Sequence, residues 1–215
     1  DTTAIIAFQD DGDSSKGKVS LYTYSNGAWS ITDTKYLITG GTANTYISAT
    51  RMTDTTAIIA FRDDGDSNKG KAVVATISGG TISCSSPTYL ISGGTNNYYI
   101  SATRMTDTTA IIAFSDVGDS SKGKAVLATV SNGTLSMSTP TYLISGGTFN
   151  SYISAKRMTD TTAIIAFQDD GDSSKGKFVQ ATIPSAPTPT GYKNKLNGVI
   201  INKINGIIPA KINRI

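Results

Sequence analysis

Two side chains are missing altogether: among 215 residues there is no histidine and no glutamate. General acid–base chemistry usually falls to His, Glu or Asp, so only Asp, Lys and Tyr remain for such work. Imidazole-based metal sites are excluded. The single cysteine, Cys84, can form neither a zinc cluster nor an internal disulfide. No run approaches the roughly 18–20 apolar residues needed to cross a bilayer, and no segment reads as a leader or an anchor. Apolar residues reach only 38%, while Gly, Ser, Thr and Asn abound, a profile suited to short strands joined by tight turns. Net charge is +3 but unevenly placed. Residues 1–184 carry 14 basic and 16 acidic side chains, a balance of −2, whereas residues 185–215 carry five basic groups and no acid.

What is present is a repeat. Thr-Asp-Thr-Thr-Ala-Ile-Ile-Ala-Phe recurs with its Asp at Asp54, Asp107 and Asp160, and the same phrase follows Asp1. The period is 53 residues without drift, and periods of this size mark repeat architectures. One period holds four strand-like runs. Residues 99–105 are rich in small side chains, and residues 109–114 are apolar on both faces and predict burial on both. Residues 124–130 form the third run. Residues 134–144 form a more polar fourth, interrupted by Pro140, which belongs on an edge because it removes a ladder donor. Pro87 stands in the same place one period earlier, and Gly79-Gly80 and Asn132-Gly133 supply the turn between third and fourth runs.

A small inner strand, apolar middle strands and a polar outer strand are the grading of a propeller blade. The expected fold is therefore all-β, a β-propeller-like array of four-stranded antiparallel blades. It comprises a partial blade over 1–39, blades over 46–92 and 99–145, and a partial blade over 152–183. A β-solenoid is the alternative, but its coils are usually shorter than this period. The count gives three and a half blades, and a seam would expose unpaired strand edges, which proteins avoid. Completion by the C-terminal segment or by a second chain is expected, and with it a homo-oligomer or other structural subunits as partners. Residues 185–192 read as a Pro-rich linker. Residues 193–215 repeat Lys-Ile-Asn-Gly octads and read as a docking tail rather than a nucleic-acid arm, since Arg is scarce and aromatics nearly absent there.

Two loop families should share one face. The Asp-rich loop recurs at Asp10–Lys18, Asp63–Lys71, Asp116–Lys124 and Asp169–Lys177, and the links between blades end at Tyr46, Tyr99 and Tyr152. Aromatic rings beside amides and carboxylates suit sugar recognition, because rings stack on C–H faces while polar groups bond hydroxyls. The candidate ligand-binding residues are Asp10, Asp13, Asp63, Asp66, Asp116, Asp119, Asp169, Asp172, Tyr46, Tyr99, Tyr152, Asn44, Asn97 and Asn150. The plainer reading of the same Asp residues is that they cap their own loops and pair with nearby Lys. Calcium at these loops is a weaker alternative, since the spacing is not that of an EF-hand, and no cofactor is called for. Aligned on the repeat, Cys84 matches Ile31 and Met137, and Trp29 matches Ile82 and Leu135, so both read as packing residues. Arg51, Arg104 and Arg157 close successive inner strands and read as blade-to-blade ion pairs or exposed turn residues.

Residues 60–78 (Ala-Phe-Arg-Asp-Asp-Gly-Asp-Ser-Asn-Lys-Gly-Lys-Ala-Val-Val-Ala-Thr-Ile-Ser) and 89–103 (Tyr-Leu-Ile-Ser-Gly-Gly-Thr-Asn-Asn-Tyr-Tyr-Ile-Ser-Ala-Thr) resemble repeats of tail-fibre-like proteins of marine and environmental phages. The octads are similar to short terminal repeats in such virion proteins. The resemblance implies a non-enzymatic structural or assembly protein of a virion appendage or extracellular filament, recognising cell-surface glycans. A lectin-like propeller is the alternative. A sialidase-like hydrolase is the third reading, since that fold also uses Asp-containing blade loops and several Arg residues. It requires a Tyr/Glu pair at one unique site, which a chain without Glu cannot supply.

Overall fold

The computed structural model describes residues 2–183 and, as backbone, residues 200–204. The chain is all-β, and every strand pairing is antiparallel. The first sheet has the order β1 (Thr3–Asp10), β2 (Lys16–Ser25), β3 (Ala28–Tyr36). The second runs β4 (Asn44–Arg51), β5 (Thr56–Asp63), β6 (Lys69–Ser78), β7 (Thr81–Cys84), with β8 (Thr88–Tyr89) also pairing with β6. The third repeats it as β9 (Asn97–Arg104), β10 (Thr109–Asp116), β11 (Lys122–Ser131), β12 (Thr134–Met137), with β13 (Thr141–Tyr142) on β11. The fourth is β14 (Asn150–Arg157), β15 (Thr162–Asp169), β16 (Lys175–Thr182), β17 (Ile200–Ile204).

The Ala-Ile-Ile-Ala-Phe run explains how the sheets stack. Successive side chains of a strand point to opposite faces, so a run apolar at every position can bury both. In β5, Ile59 and Phe61 join a cluster with Val19 and Leu37 of the first repeat, while Ile58 and Ala60 join Ile112 and Phe114 of the third sheet. In β10, Ile111 and Ala113 pack instead with Ile165 and Phe167 of the fourth. Three clusters of one design thus lie between successive sheets. Each large apolar side chain buried this way contributes about 1.5–3 kcal/mol.

The small residues of β4, β9 and β14 have a different cause. These strands lie beside one another, and hydroxyls of one serve backbone donors of the next. Ser48 Oγ accepts from Ala102 N and Thr50 Oγ1 from Arg104 N, both at 2.9 Å. Ser101 and Thr103 do the same for Ala155 and Arg157 at 2.9 and 3.0 Å. A bulky side chain there would separate the strands and orphan those N–H groups.

Pro87 and Pro140 do more than mark an edge. They split the fourth run of their sheets into β7 plus β8 and β12 plus β13. In the first sheet Thr34 stands at that repeat position, and β3 runs unbroken through nine residues. Asn26-Gly27, Gly79-Gly80 and Asn132-Gly133 all take left-handed φ at both positions, as a two-residue hairpin requires. The first sheet has no inner strand among the described residues. The fourth gains its outer strand from the tail, with Ile200–Ile204 pairing to Phe178–Thr182. The rest of the expected linker and octad tail lies outside the described residues.

Candidate binding site: a tyrosine row on the inner strands

The four Asp-rich loops are built alike. Each opens with an Asp whose Oδ1 accepts from the glycine two residues on, at 3.1 Å: Asp10 from Gly12, Asp63 from Gly65, Asp116 from Gly118, Asp169 from Gly171. Its second oxygen takes the ammonium of Lys18, Lys71, Lys124 or Lys177 at 2.6–2.7 Å. The same ammonium reaches Asp13, Asp66, Asp119 or Asp172 at 2.7–2.8 Å. In three repeats a tyrosine hydroxyl completes the loop: Tyr36 on Asp13 and Tyr89 on Asp66 at 2.7 Å, Tyr142 on Asp119 at 2.6 Å. A lysine ammonium therefore sits between the two carboxylates of each loop. Among the described residues no three carboxylate or Cys side chains gather into a metal site.

Electrostatics follow from this pairing. Lys18, Lys16 and Tyr36 hold the Asp13 carboxyl well below the usual carboxylate range, and Lys71, Tyr89 and Lys69 do so for Asp66. Lys122, Lys124 and Tyr142 act likewise on Asp119, and Lys175 and Lys177 bring Asp172 down to about 2. Burial disfavours the charged form of Lys71, but its bonds to Asp63 and Asp66 outweigh that and raise its pKa. Such carboxylates carry no proton to donate at neutral pH, and their lone pairs are already engaged. The plainer reading of these Asp residues is the one the geometry supports.

Two of the three Asn candidates tie sheets together, while Asn44 leaves its buried Oδ1 without a hydrogen-bond partner among the described residues. Asn44, Asn97 and Asn150 are fully buried. Asn97 Oδ1 accepts from Gly70 N at 3.1 Å, and Asn150 Oδ1 accepts from Gly123 N at 3.0 Å, tying each sheet to the one before it. Arg51, Arg104 and Arg157 all engage the turns that follow their own strands. Each donates through Nε to the carbonyl two residues on, and each pairs with the Asp of its own turn (Asp54, Asp107, Asp160). Trp29 lies at the surface, its ring tilted 50° against that of Tyr24 at 5.2 Å between centroids.

The tyrosines behave differently. Tyr46, Tyr99 and Tyr152 have φ of 51°, 52° and 49°, a left-handed backbone that bulky residues rarely adopt. Each stands where the inner strand slips register against its neighbour, between Thr45 and Ser48 or the equivalent positions. Glycine is the usual occupant of such a bulge, because a side chain there is strained. The bulges aim the rings at one another across the inner strands. Tyr46 and Tyr99 are 5.6 Å apart between centroids, and Tyr99 and Tyr152 are 5.2 Å apart. Tyr98 closes edge-on against Tyr46 at 5.3 Å. Tyr152 is 69% exposed, Tyr46 is also exposed, and burial pushes the Tyr99 phenol up.

One further residue belongs to this cluster. The Arg62 guanidinium lies over the rings of Tyr46 and Tyr98, at 5.0 and 4.5 Å, and its Nε donates to Asp64 at 2.6 Å. Thr45 Oγ1 also donates to Asp64, at 3.1 Å. Gln9, Ser115 and Gln168 occupy the Arg62 position in the other repeats, and Thr45 and Ser151 occupy the Tyr98 position. The Arg62–Tyr98 pair therefore occurs at one junction among the described repeats. Those two departures from the repeat are the signal that could have located it.

No protein-family model and no curated protein matches the chain. Solved structures do share its fold. One, described as NanB plus Optactamide, superposes with a TM-score of 0.52 over 78% of this chain and 26% of that one, at 14% identity. A point mutant of the NanB sialidase from Streptococcus pneumoniae gives 0.50 over the same shares, at 13% identity. The chain thus spans about a quarter of the length of these structures.

Proposed function

We propose that this protein is a non-catalytic glycan-binding component of an extracellular or virion-surface assembly, its sheets arranged as consecutive blades of a propeller. The observation that carries this reading is the strained tyrosine row beside Arg62. Backbone strain of about 1–3 kcal/mol per non-glycine residue persists only where something over-determines it, and it concentrates at ligand clamps. Three rings held side by side offer the C–H faces of successive sugars a stacking platform, and Arg62 with Asp64 offers a donor and an acceptor at its edge. The sheet order and the likeness to structures described as a sialidase support the propeller arrangement.

A sialidase-like hydrolase is disfavoured on chemistry. There is no Glu to complete a Tyr/Glu pair, and the loop carboxylates are clamped by lysine. The test is a glycan array probed with the full chain, followed by turnover of a fluorogenic sialoside. The expected result is binding to a defined glycan class, weakened about tenfold or more by Tyr46→Ala, with no turnover. Turnover, or binding indifferent to Tyr46→Ala, would contradict it.

A further inference from the structure

The apolar clusters between sheets have two sides that recur at the 53-residue period. The forward side is made by positions such as Ile58, Ala60, Ala72 and Val74, and the backward side by positions such as Ile112, Phe114, Val126 and Ala128. Two such sides meet nothing among the described residues: the backward side of the first sheet and the forward side of the fourth.

Neither is dressed for water. On the first sheet, Ile6 pairs with Ser20, Ala4 with Tyr22, Tyr22 with Ile31, and Tyr24 with Trp29, so these residues share one face. Ile6, Trp29 and Ile31 are 48%, 54% and 59% exposed. On the fourth sheet, Ala166 pairs with Phe178 and Ile164 with Gln180, and Phe178 is 38% exposed.

Both faces depart from the repeat. The backward side loses bulk at one position, where Ser20 replaces the valine of Val73, Val126 and Val179. It gains rings at two others, where Tyr22 replaces Ala75, Ala128 and Ala181, and Trp29 replaces Ile82 and Leu135. The forward side gains bulk at Phe178, where the other repeats have Val19, Ala72 and Ala125, and a polar group at Gln180 in place of Leu21, Val74 and Leu127. A terminal face adapted only to solvent would turn polar throughout. These faces gain Tyr, Trp and Phe with one small polar group each, which is the composition of a protein interface core.

We infer that the forward face of the fourth sheet docks on the backward face of the first sheet of a second copy, and that two copies close one ring. The contact continues the sheet-on-sheet packing seen three times within the chain, with Phe178 on the forward face and Tyr22 and Trp29 on the backward one. It is head-to-tail, so it closes only if the rotation per sheet fits. The four sheets among the described residues give eight from two copies, the upper end of the usual propeller range of about 4–8 blades, and three copies would exceed it. The inference rests on the propeller arrangement proposed above and not on glycan recognition.

Light scattering coupled to size exclusion tests it on the full chain at micromolar concentration. The expected mass is twice that of one chain. Phe178→Lys and Trp29→Lys, each alone, should give monomers, because each spoils one side of every contact. Mixed in equal amounts they should recover a two-chain species through the one intact pairing left. Circular dichroism checks that each variant is folded, and Ala166→Lys with Ile31→Lys repeats the cross should either unfold. A wild-type monomer overturns the inference, as does a mass that grows without limit. A mixture that stays monomeric, or a single variant that stays dimeric, overturns the head-to-tail pairing. A failed glycan array would leave all of these masses unchanged.

Discussion

Glycine and asparagine make the tightest joint between consecutive sheets. A Cβ added to Gly123 would lie 2.4 Å from Asn150 Oδ1, and one added to Gly70 would lie 2.3 Å from Asn97 Oδ1. At Gly176, the same position in the fourth repeat, the space is open. Gly123→Ala should therefore destabilise by about 1–3 kcal/mol through overpacking, whereas Gly176→Ala should stay within about 0.5 kcal/mol. Chemical denaturation of the two variants side by side measures the difference. Cys84 gives a second residue-level prediction. Burial pushes its thiol up to about 11, so it is protonated at neutral pH. Alkylation near pH 8 should run about a hundredfold slower than for an exposed cysteine, and a fast reaction would contradict the packing role.

The element that carries the charge is the Asp-rich loop, and its pH response follows from the direction of the shifts. Asp13, Asp66, Asp119 and Asp172 all titrate lower when folded than the ordinary carboxylate. Groups of that kind contribute stability that is fully present above the unfolded value of about 3.9 and is lost as pH falls through the folded value. For Asp172 that window runs from about 4 down to about 2. Near-UV circular dichroism should keep its tyrosine signal down to about pH 4 and lose it progressively below. Loss already between pH 6 and 5 would contradict the lysine clamps. These loops also show what the sequence made legible. The period, the hairpin glycines and the doubly apolar middle strand follow from local pattern, and so does Asp capping. Asn97 and Asn150 read as ligand groups because their burial depends on Gly70 and Gly123 of another sheet, 27 residues away. Tyr46, Tyr99 and Tyr152 were visible as a class, but their backbone strain was not. Residue type alone does not say where a ladder slips register. Arg62 escaped notice because it is a single departure inside a repeat, and its partner Tyr98 lies on the next inner strand.

At the scale of the whole molecule, the sheets supply the frame, and the tyrosine row is where left-handed backbone falls on bulky aromatic residues rather than on the Ser, Asn and Gly of the turns. Stability and binding should therefore separate at Tyr152, which is largely exposed and sits in a left-handed backbone that glycine adopts freely. Replacing it removes about 1–3 kcal/mol of strain and sacrifices one ring contact with Tyr99 worth about 0.5–1.5 kcal/mol. The most direct measurement is thermal unfolding and glycan binding of Tyr152→Gly on the same preparation. The account predicts a Tm unchanged or raised by a few degrees, together with loss of most of the glycan signal. A Tm lowered by about 4 °C or more with binding intact would mean that the ring serves packing, contradicting the reading of the row as a sugar platform.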